Sequence, residues 1–201
     1  MRQALLHLSQ SDRKLAAVIE SVGPYAIRYR DADFSTLARS IVYQQLSGKA
    51  AATIYGRVEQ AVHPNRVCGE AILALSGEQM RALGLSNQKA TYLRSIAEQN
   101  LNGIIDFERL HELPDHEVIQ HLTAAKGVGV WTAQMYLIFA LRRPDILPTG
   151  DLGIRNAIQR IYHLRTPPKP DRIMKIARPW RPYASVASWY LWRSLDGTAT
   201  L

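Results

Sequence analysis

Asp151 is the residue with the clearest chemical potential; it lies in the segment LPTGDLGIRNAI. A fixed carboxylate can stabilise a developing positive charge, and it can orient or deprotonate a water molecule. Aspartate is also a preferred N-cap, and apolar spacing predicts a helix over 151–164. The segment alone therefore leaves two interpretations, a helix cap and a functional carboxylate, with the cap favoured on local grounds.

A second candidate is the segment LTAAKGVGVWTAQM, residues 122–135, where one predicted helix ends and another begins at once. Gly127 and Gly129 permit a very tight turn and the close approach of a ligand to the main chain. Their amides and that of Val130 would lie at a helix N-terminus, which favours an anion. Val128 could pack between the two helices. The alternative is an ordinary corner between helices with a glycine cap.

The net charge of +8 is concentrated in one stretch of the chain. Between Arg142 and Arg193 there are 11 Lys and Arg but only 3 Asp and Glu, whereas the remainder is neutral. A localised basic surface is typical of a protein with a polyanion partner, and arginine favours phosphate. A solvated basic face without any partner would have the same composition.

Composition excludes several classes of protein. No apolar run reaches the roughly 18 residues of a membrane helix, and the first residues, MRQALLHLSQSDRK, lack the apolar stretch of a secretory signal. Cys68 is the only cysteine, which rules out an internal disulfide, a cysteine zinc site and an iron–sulfur cluster. No two of the six histidines have metal-ligand spacing near a carboxylate. We expect a reducing, intracellular compartment.

Helical periodicity runs through almost the whole chain, without convincing strand alternation, so the predicted fold class is all-α. A short helix is also predicted after the proline-rich linker 166–170, and 131–141 is apolar enough to be a helix buried on most sides. The other predicted helices cover 11–22, 34–45, 47–61, 69–75, 77–83, 86–101, 115–124, 151–164 and 183–194.

Three strings match one known family in order and spacing: Gly127-Val128-Gly129, Trp131-Thr132-Ala133 and Asp151-Leu152-Gly153-Ile154-Arg155. Together they resemble the helix-hairpin-helix superfamily of DNA repair glycosylases, and within it a compact form of the alkylpurine branch, 3-methyladenine DNA glycosylase II. The resemblance covers residues 33–196.

The resemblance implies a reaction. Asp151 would stabilise the positive charge that develops on the sugar as an N-glycosidic bond breaks. A purine alkylated at N3 or N7 is already a cationic leaving group and needs little acid assistance. Members with lyase activity carry a lysine where this chain has Trp131, and Lys126 lies before the first glycine, so the resemblance implies hydrolysis alone. No four C-terminal cysteines are present, which argues against the iron–sulfur branch.

The resemblance also implies binding residues. The hairpin would bind a backbone phosphate through Gly127, Val128, Gly129, Val130 and Thr132. No cofactor is required, although a structural Na⁺ or K⁺ could be held by the main-chain carbonyls of Thr123, Ala125 and Val128.

In the segment QQLSGKAA, Leu46 would fill the base stack from the minor groove, with Gln45 and Ser47 touching neighbouring bases or backbone. A plain inter-helix turn with a buried leucine is the alternative. Electron-rich aromatics would stack on the flipped base, although some of them must be core. The candidates for this pocket are Trp131, Trp189, Tyr136, Tyr43 and Tyr190.

The expected architecture has two helical lobes with Asp151 in the cleft between them. The central lobe covers 33–140, including the hairpin at 122–135, and the second covers 1–32 plus 141–201. We expect a monomeric, monofunctional DNA glycosylase that hydrolyses the N-glycosidic bond of alkylated purines in damaged double-stranded DNA.

The expected substrates include 3-methyladenine, 7-methylguanine and ethenoadenine, with the preferred lesion left open. No membrane partner is expected, and the protein would work in the cytoplasm or nucleoid of a bacterium or the nucleus of a eukaryote. Two alternatives stay open: a non-catalytic helix-hairpin-helix module that binds DNA or senses damage, and a lyase-proficient glycosylase for oxidised bases.

Overall fold

The computed structural model describes residues 1–196, which form twelve α-helices and two short 3₁₀ helices, 110–112 and 178–180. No strand occurs in this range, so the predicted all-α class is confirmed. The helices are α1 (Arg2–Ser11), α2 (Arg13–Val22), α3 (Phe34–Tyr43), α4 (Gly48–Val62), α5 (Gly69–Ala74), α6 (Gly77–Ala82), α7 (Asn87–Leu101), α8 (Asp115–Thr123), α9 (Val130–Phe139), α10 (Leu152–Ile161), α11 (Pro170–Ala177) and α12 (Ala184–Asp196).

The chain divides into two compact units. One, which we call the split unit, combines Met1–Tyr29 with the chain from Arg142 onward, and the other, the continuous unit, is Arg30–Leu141. The hairpin and the segment around Leu46 belong to the continuous unit, whereas Asp151 belongs to the split unit. Among residues 1–196, no helix has the length and hydrophobicity that a bilayer crossing requires.

Helix α7 is the central element of the continuous unit and packs on α3, α5 and α6. Its buried residues include Leu93, with Ile96 and Ala97 three and four residues later, a spacing that places them on one apolar side of the helix. Helices α8 and α9 pack against each other on either side of the short turn 124–129 and form the predicted hairpin.

In the split unit, α12 packs on α2 and α10 around a core that includes Leu15, Ile158 and Trp180. Asp12 joins the two parts of the sequence. Its Oδ1 accepts the amides of the first turn of α2, at 2.9 and 3.1 Å, while its Oδ2 accepts Trp180 Nε1 at 2.9 Å and the Tyr162 hydroxyl.

Most predicted helices are present with ends shifted by a few residues. The spacing of Ser76 and Gln79 in the sequence predicts a capping box at the start of α6, and the structure confirms it with both reciprocal hydrogen bonds formed. The N-terminal prediction is wrong in one respect: a separate helix, α1, precedes the predicted one. Asp12 is extended, with φ −148° and ψ 106°, so it ends α1 and caps α2 within a single residue.

Candidate functional site

The turn between α8 and α9 requires glycine at position 127. Gly127 has φ +86°, in the left-handed region that L side chains rarely adopt. A Cβ at this position would lie 2.2 Å from ring atoms of Tyr92, whose side chain packs directly against the main chain. The predicted tight turn is therefore confirmed at Gly127.

Gly129 has a different role, because its backbone does not need glycine. It is the N-cap of α9, with φ −90°, and a Cβ there would meet no atom within 4 Å. No side chain caps this helix, and the next two residues, Val130 and Trp131, are 55% and 47% exposed. The first turn of α9 thus forms an exposed helix N-terminus with room for a ligand beside Gly129, an arrangement that favours anions.

The remaining hairpin residues are mostly buried. Val128 and Thr132 are buried. Helix α9 also buries Ala133, Tyr136, Leu137 and Ile138, so the prediction of a helix buried on most sides is confirmed beyond Trp131. The Val128 amide donates to the Ala125 carbonyl at 3.2 Å, which occupies one of that oxygen's two lone pairs. Carbonyl oxygens are ligands that suit a hard monovalent cation, and a Na⁺ or K⁺ at Thr123, Ala125 and Val128 stays a prediction.

The segment between α3 and α4 exposes its leucine. Leu46 is 40% exposed, so the alternative of a plain turn with a buried leucine is wrong. Gln45 adopts φ +58°, an uncommon conformation for a residue with a side chain, and Ser47 caps α4 through its hydroxyl at 3.4 Å from the Ala50 amide.

Hydrogen bonds with two other parts of the continuous unit, α7 and the hairpin, hold this segment in place. Lys89 Nζ, in the first turn of α7, donates to the carbonyls of Val42 and Gln44 at 2.6 and 2.8 Å. Partial burial lowers the pKa of Lys89. The Gln44 side-chain amide donates to the Gly127 carbonyl at 3.2 Å. The segment is thus bound both to α7 and to the hairpin, which the sequence did not reveal.

Two adjoining cavities in the continuous unit collect several predicted pocket residues. The larger, of about 480 Å³, is lined by Tyr43, Gln45, Trp131 and Thr132 among others. The smaller, of about 200 Å³, also has Tyr43 and Thr132 in its wall and adds Tyr136. The structure therefore brings Tyr43, Trp131 and Tyr136 to one region of this unit.

Arg39 is a member of this region that the sequence analysis missed. Its guanidinium carbon lies 4.0 Å from the Tyr43 ring centroid, and the guanidinium donates to the Tyr43 hydroxyl. The same group lies 5.3 Å from the Tyr55 ring centroid. A spacing of four residues on α3 makes the contact with Tyr43 possible, but the spacing does not distinguish it from two independent surface residues.

Tyr136 forms a fixed wall of the smaller cavity. Burial, and secondarily the charge of Asp33, raise the pKa of Tyr136 well above the usual value of a phenol. Its hydroxyl donates to the Asp33 carbonyl at 3.2 Å. We therefore expect Tyr136 to act as a neutral aromatic surface rather than as an acid or base.

In the split unit, the carboxylate of Asp151 is held by two donors on one oxygen. Asp151 Oδ1 accepts the Ile154 amide at 2.8 Å, which makes Asp151 the N-cap of α10, and it accepts Trp192 Nε1 at 2.9 Å. The side chain is largely buried, at 9% exposure. A Cβ at position 153 would lie 3.0 Å from both Asp151 Oδ1 and Trp192 Cδ1, so Gly153 leaves the space for this pair.

The hydrogen bond from Trp192 to Asp151 was not predicted from the sequence. Trp189 packs edge-on against Tyr25 with ring centroids 4.8 Å apart, and it is 8% exposed. Tyr190 is completely buried in the same core, and its hydroxyl donates to the Gly23 carbonyl at 3.0 Å. We correct the sequence interpretation of Tyr190, because a ring without exposed surface packs the core and cannot receive a base.

The basic stretch 142–193 lies entirely within the split unit. Arg155, whose role the sequence left undecided, donates through Nε to the Pro168 carbonyl at 3.3 Å. Arg181 pairs with Asp145 at 3.3 Å. Over residues 1–196, no cluster of three or more His, Cys, Asp or Glu residues could hold a metal ion.

Comparison with known proteins agrees with these features. Residues 38–182 match the model of the HhH-GPD superfamily of base excision DNA repair proteins. The chain is 34% identical over 199 residues to DNA-3-methyladenine glycosylase 1 of Schizosaccharomyces pombe, covering 96% of this chain and 87% of the relative.

Two solved structures share the fold over nearly the whole chain. The S. pombe 3-methyladenine DNA glycosylase in complex with abasic DNA is 34% identical with a TM-score of 0.84, covering 96% of this chain and 97% of that one. A DNA-3-methyladenine glycosidase of Bacillus halodurans is 35% identical with a TM-score of 0.86, covering 98% and 90%. The chain therefore belongs to the HhH-GPD superfamily of base excision DNA repair proteins and, within it, to the 3-methyladenine DNA glycosylase family.

Proposed function

We propose that this protein is a monofunctional DNA glycosylase that hydrolyses the N-glycosidic bond of alkylated purines in double-stranded DNA. The expected substrates are 3-methyladenine, 7-methylguanine and ethenoadenine. The observation that carries the proposal is the carboxylate of Asp151, held at 2.8 Å by its helix and at 2.9 Å by Trp192. A carboxylate that needed only to cap α10 would not require the second donor.

Binding begins with the DNA backbone. The exposed N-terminus of α9, with its open cap at Gly129, is suited to a phosphate, and this contact carries no sequence information. A Na⁺ or K⁺ held by the carbonyls of Thr123, Ala125 and Val128 would add positive charge at the same turn. The basic stretch of the split unit supplies the longer-range attraction to DNA.

The damaged base must leave the stack before its bond to the sugar can be reached. Exposed Leu46 is suited to fill the gap, with Gln45 and Ser47 beside it. Trp131, Tyr43 and Tyr136 offer aromatic surface to an electron-poor base. We also retain Trp189 as a candidate pocket residue, whereas Tyr190 is assigned to the core.

The chemical step breaks the bond between C1′ and the base nitrogen, and the electron pair leaves with the base. A cationic 3-methyladenine or 7-methylguanine departs as a neutral molecule, whereas ethenoadenine must take up a proton from solvent as it departs. In each case the sugar acquires oxocarbenium character. The charge of Asp151 stabilises that sugar cation. Water then adds to C1′ and loses a proton to the carboxylate or to solvent, which leaves an abasic site and the free base.

The proposal excludes lyase chemistry. A β-lyase step needs an amine that attacks C1′ and forms a Schiff base. Trp131 occupies the position at which lyase-proficient members carry that lysine, and an indole cannot form an imine. We also propose that the protein acts as a monomer. It would work in the nucleoid of a bacterium or the nucleus of a eukaryote, because its DNA substrate is found there.

Base release tests the proposal directly. The protein is incubated with duplexes that each carry one lesion, and the free base is quantified by chromatography. We expect release of at least one alkylated purine, with an abasic strand that stays intact until it is treated with alkali. Tight binding to damaged DNA without release of any base would favour the non-catalytic damage-sensing module instead.

A further inference from the structure

One face of α7 contacts both loops that the proposed function assigns to DNA. Lys89, Tyr92 and Ser95 are spaced three residues apart, so their side chains project from neighbouring positions on the helix. Each touches either the segment 44–47 or the hairpin turn, and all of these residues lie in the continuous unit.

Lys89 makes the first contact. Its ammonium group donates to two carbonyls at the C-terminal end of α3, those of Val42 and Gln44, at 2.6 and 2.8 Å. A lysine in the first turn of a helix opposes the dipole of its own helix. Its position is explained by α3, whose C-terminal carbonyls favour a cation.

Tyr92 and Ser95 make the other two contacts. The Tyr92 ring lies against Gly127, where a Cβ would approach within 2.2 Å. The Ser95 hydroxyl, on a residue only 7% exposed, accepts the Lys126 amide at 2.9 Å. The loop Gln44–Ser47 and the turn Lys126–Gly127 are therefore both fixed to one rigid helix.

A direct hydrogen bond also joins the two loops to each other. The Gln44 side-chain amide donates to the Gly127 carbonyl at 3.2 Å, while the Gln44 main-chain carbonyl accepts from Lys89. Gln44 is followed by Gln45 in the left-handed conformation and then by Leu46. The direction in which Leu46 leaves the fold thus depends on how Gln44 is held.

We propose that α7, through Lys89, Tyr92 and Ser95, sets the spacing between the hairpin that binds phosphate and the leucine that enters the base stack. These three are positioning residues, and the inference rests on the proposed roles of the hairpin and of Leu46. A duplex has a fixed distance between its backbone and its stacked bases. A rigid spacing lets phosphate binding drive insertion of Leu46, whereas a flexible one lets the hairpin bind without opening the duplex.

The experiment compares Lys89→Met with Arg81→Met. The first removes the ammonium group and keeps an unbranched side chain. The second removes one positive charge from an exposed position on α6 in the same unit and serves as the charge-matched control. Lys89→Arg restores donors for both carbonyls. Single-turnover excision is measured for one lesion in two contexts, paired in a duplex and unpaired in a bulge.

We expect Lys89→Met to excise the paired lesion about tenfold or more slowly than Arg81→Met, because small misplacement of positioned groups reduces rates strongly. The same lesion in a bulge should lose much less, since its base is already unstacked and unpaired. Affinity for undamaged duplex should match that of Arg81→Met, and Lys89→Arg should recover most of the rate. Equal losses on paired and bulged lesions would overturn the inference, because a merely structural defect affects both.

A second readout separates this inference from the proposed reaction. Fluorescence of 2-aminopurine opposite an abasic-site analogue reports opening of the stack and requires no excision. If the native protein releases no base, the proposed function fails, and this signal still decides the inference. Its presence in Arg81→Met and its loss in Lys89→Met support the positioning role, whereas equal signals, or no signal in the native protein, overturn it.

Ser95→Ala provides a milder variant should Lys89→Met fail to fold. It removes only the acceptor of the Lys126 amide. We expect the same pattern on a smaller scale, with a larger loss on the paired lesion than on the bulged one. An equal loss in the two contexts would count against the spacing role of α7.

Discussion

Helices α9 and α10 both begin after a short turn, yet they begin with opposite chemistry. Gly129 caps α9 without a side chain, and the first residues of that helix are exposed. Asp151 caps α10 with a largely buried carboxylate that Trp192 also holds. The first N-terminus has no capping side chain and no acidic residue in its first turn, whereas the partial positive charge of the second is partnered by an anion of the protein itself.

The comparison teaches that a cap and a functional carboxylate need not be alternatives for Asp151. The Ile154 amide and the Trp192 indole both bind Oδ1, which fixes the orientation of the whole carboxylate. A preorganised charge is more effective than one that must reorient during the reaction. Capping thereby becomes part of how the carboxylate is positioned, and the following predictions test each side of the comparison.

The largest effect is expected from Asp151→Asn. Asparagine caps helices as well as aspartate does, so the free energy of unfolding should change by less than about 1 kcal/mol. The single-turnover excision rate should fall by about a hundredfold or more, because a neutral amide cannot stabilise the sugar cation. Rapid-quench assays and thermal unfolding measure the two quantities. Rates close to native on every excised lesion would reduce Asp151 to a cap.

The two hairpin glycines should differ when each is replaced by alanine. Gly127→Ala forces a side chain into a left-handed backbone and against the Tyr92 ring, and it should destabilise the fold by about 2 kcal/mol or more. Gly129→Ala meets open space and should leave the protein folded. Its expected effect is on DNA, through weaker binding to every duplex sequence and a salt dependence flatter by about one log–log unit.

Chemical denaturation and binding titrations at several salt concentrations separate the two variants. Each serves as the control for the other, since both add one methyl group to the same turn. Unchanged affinity and salt dependence in folded Gly129→Ala would remove the phosphate role from this turn.

A smaller effect is expected from Trp192→Phe, which removes the indole donor to Asp151 and keeps an aromatic ring. A hydrogen bond to a charged group contributes about 1.5–3 kcal/mol, so excision should slow by about tenfold. Single-turnover excision and thermal unfolding measure the two effects, and a variant with lower stability but a native excision rate would show that Trp192 only packs.

The last prediction is a negative result in a trapping assay for lyase activity. Borohydride reduction during turnover should trap no covalent complex between protein and lesion DNA, because Trp131 replaces the lysine that would form the Schiff base. A lyase-proficient glycosylase treated in parallel provides the positive control. A stoichiometric adduct that maps to a lysine of this chain would move the protein to the lyase class.

Prediction from the sequence was most accurate for features that depend on residues close together in the chain. Ser76 caps α6 through the Gln79 amide three residues ahead, which a four-residue pattern can reveal. The hairpin was predicted for a similar reason, since Gly127 and the apolar helix after it are neighbours in the chain. The lobe boundaries, the cleft and the individual site roles stay predictions.

The sequence could not reveal contacts between distant positions. Trp192 and Asp151 are 41 residues apart, and Lys89 and Gln44 are 45 apart, so no periodicity links them. Tyr190 shows a related limit: helical spacing gives the side on which a ring lies, but only the packed core shows how deeply it is buried. The unpredicted helix α1 buries only Ala4 and Leu8, too few residues for a clear amphipathic pattern.

The hydrogen bonds that Asp12 accepts from distant residues have a consequence for the order of folding. Its partners Tyr162 and Trp180 lie 150 and 168 residues further along the chain, so α1 and α2 leave the ribosome long before these partners are made. The continuous unit is complete once Leu141 is synthesised, and we expect it to fold first. Its Arg30 amide then donates to the Phe139 carbonyl at 2.9 Å, which brings the two ends of that unit together. Early folding of this insert therefore shortens the loop that the split unit must close, and so speeds a step that distant contacts would otherwise slow.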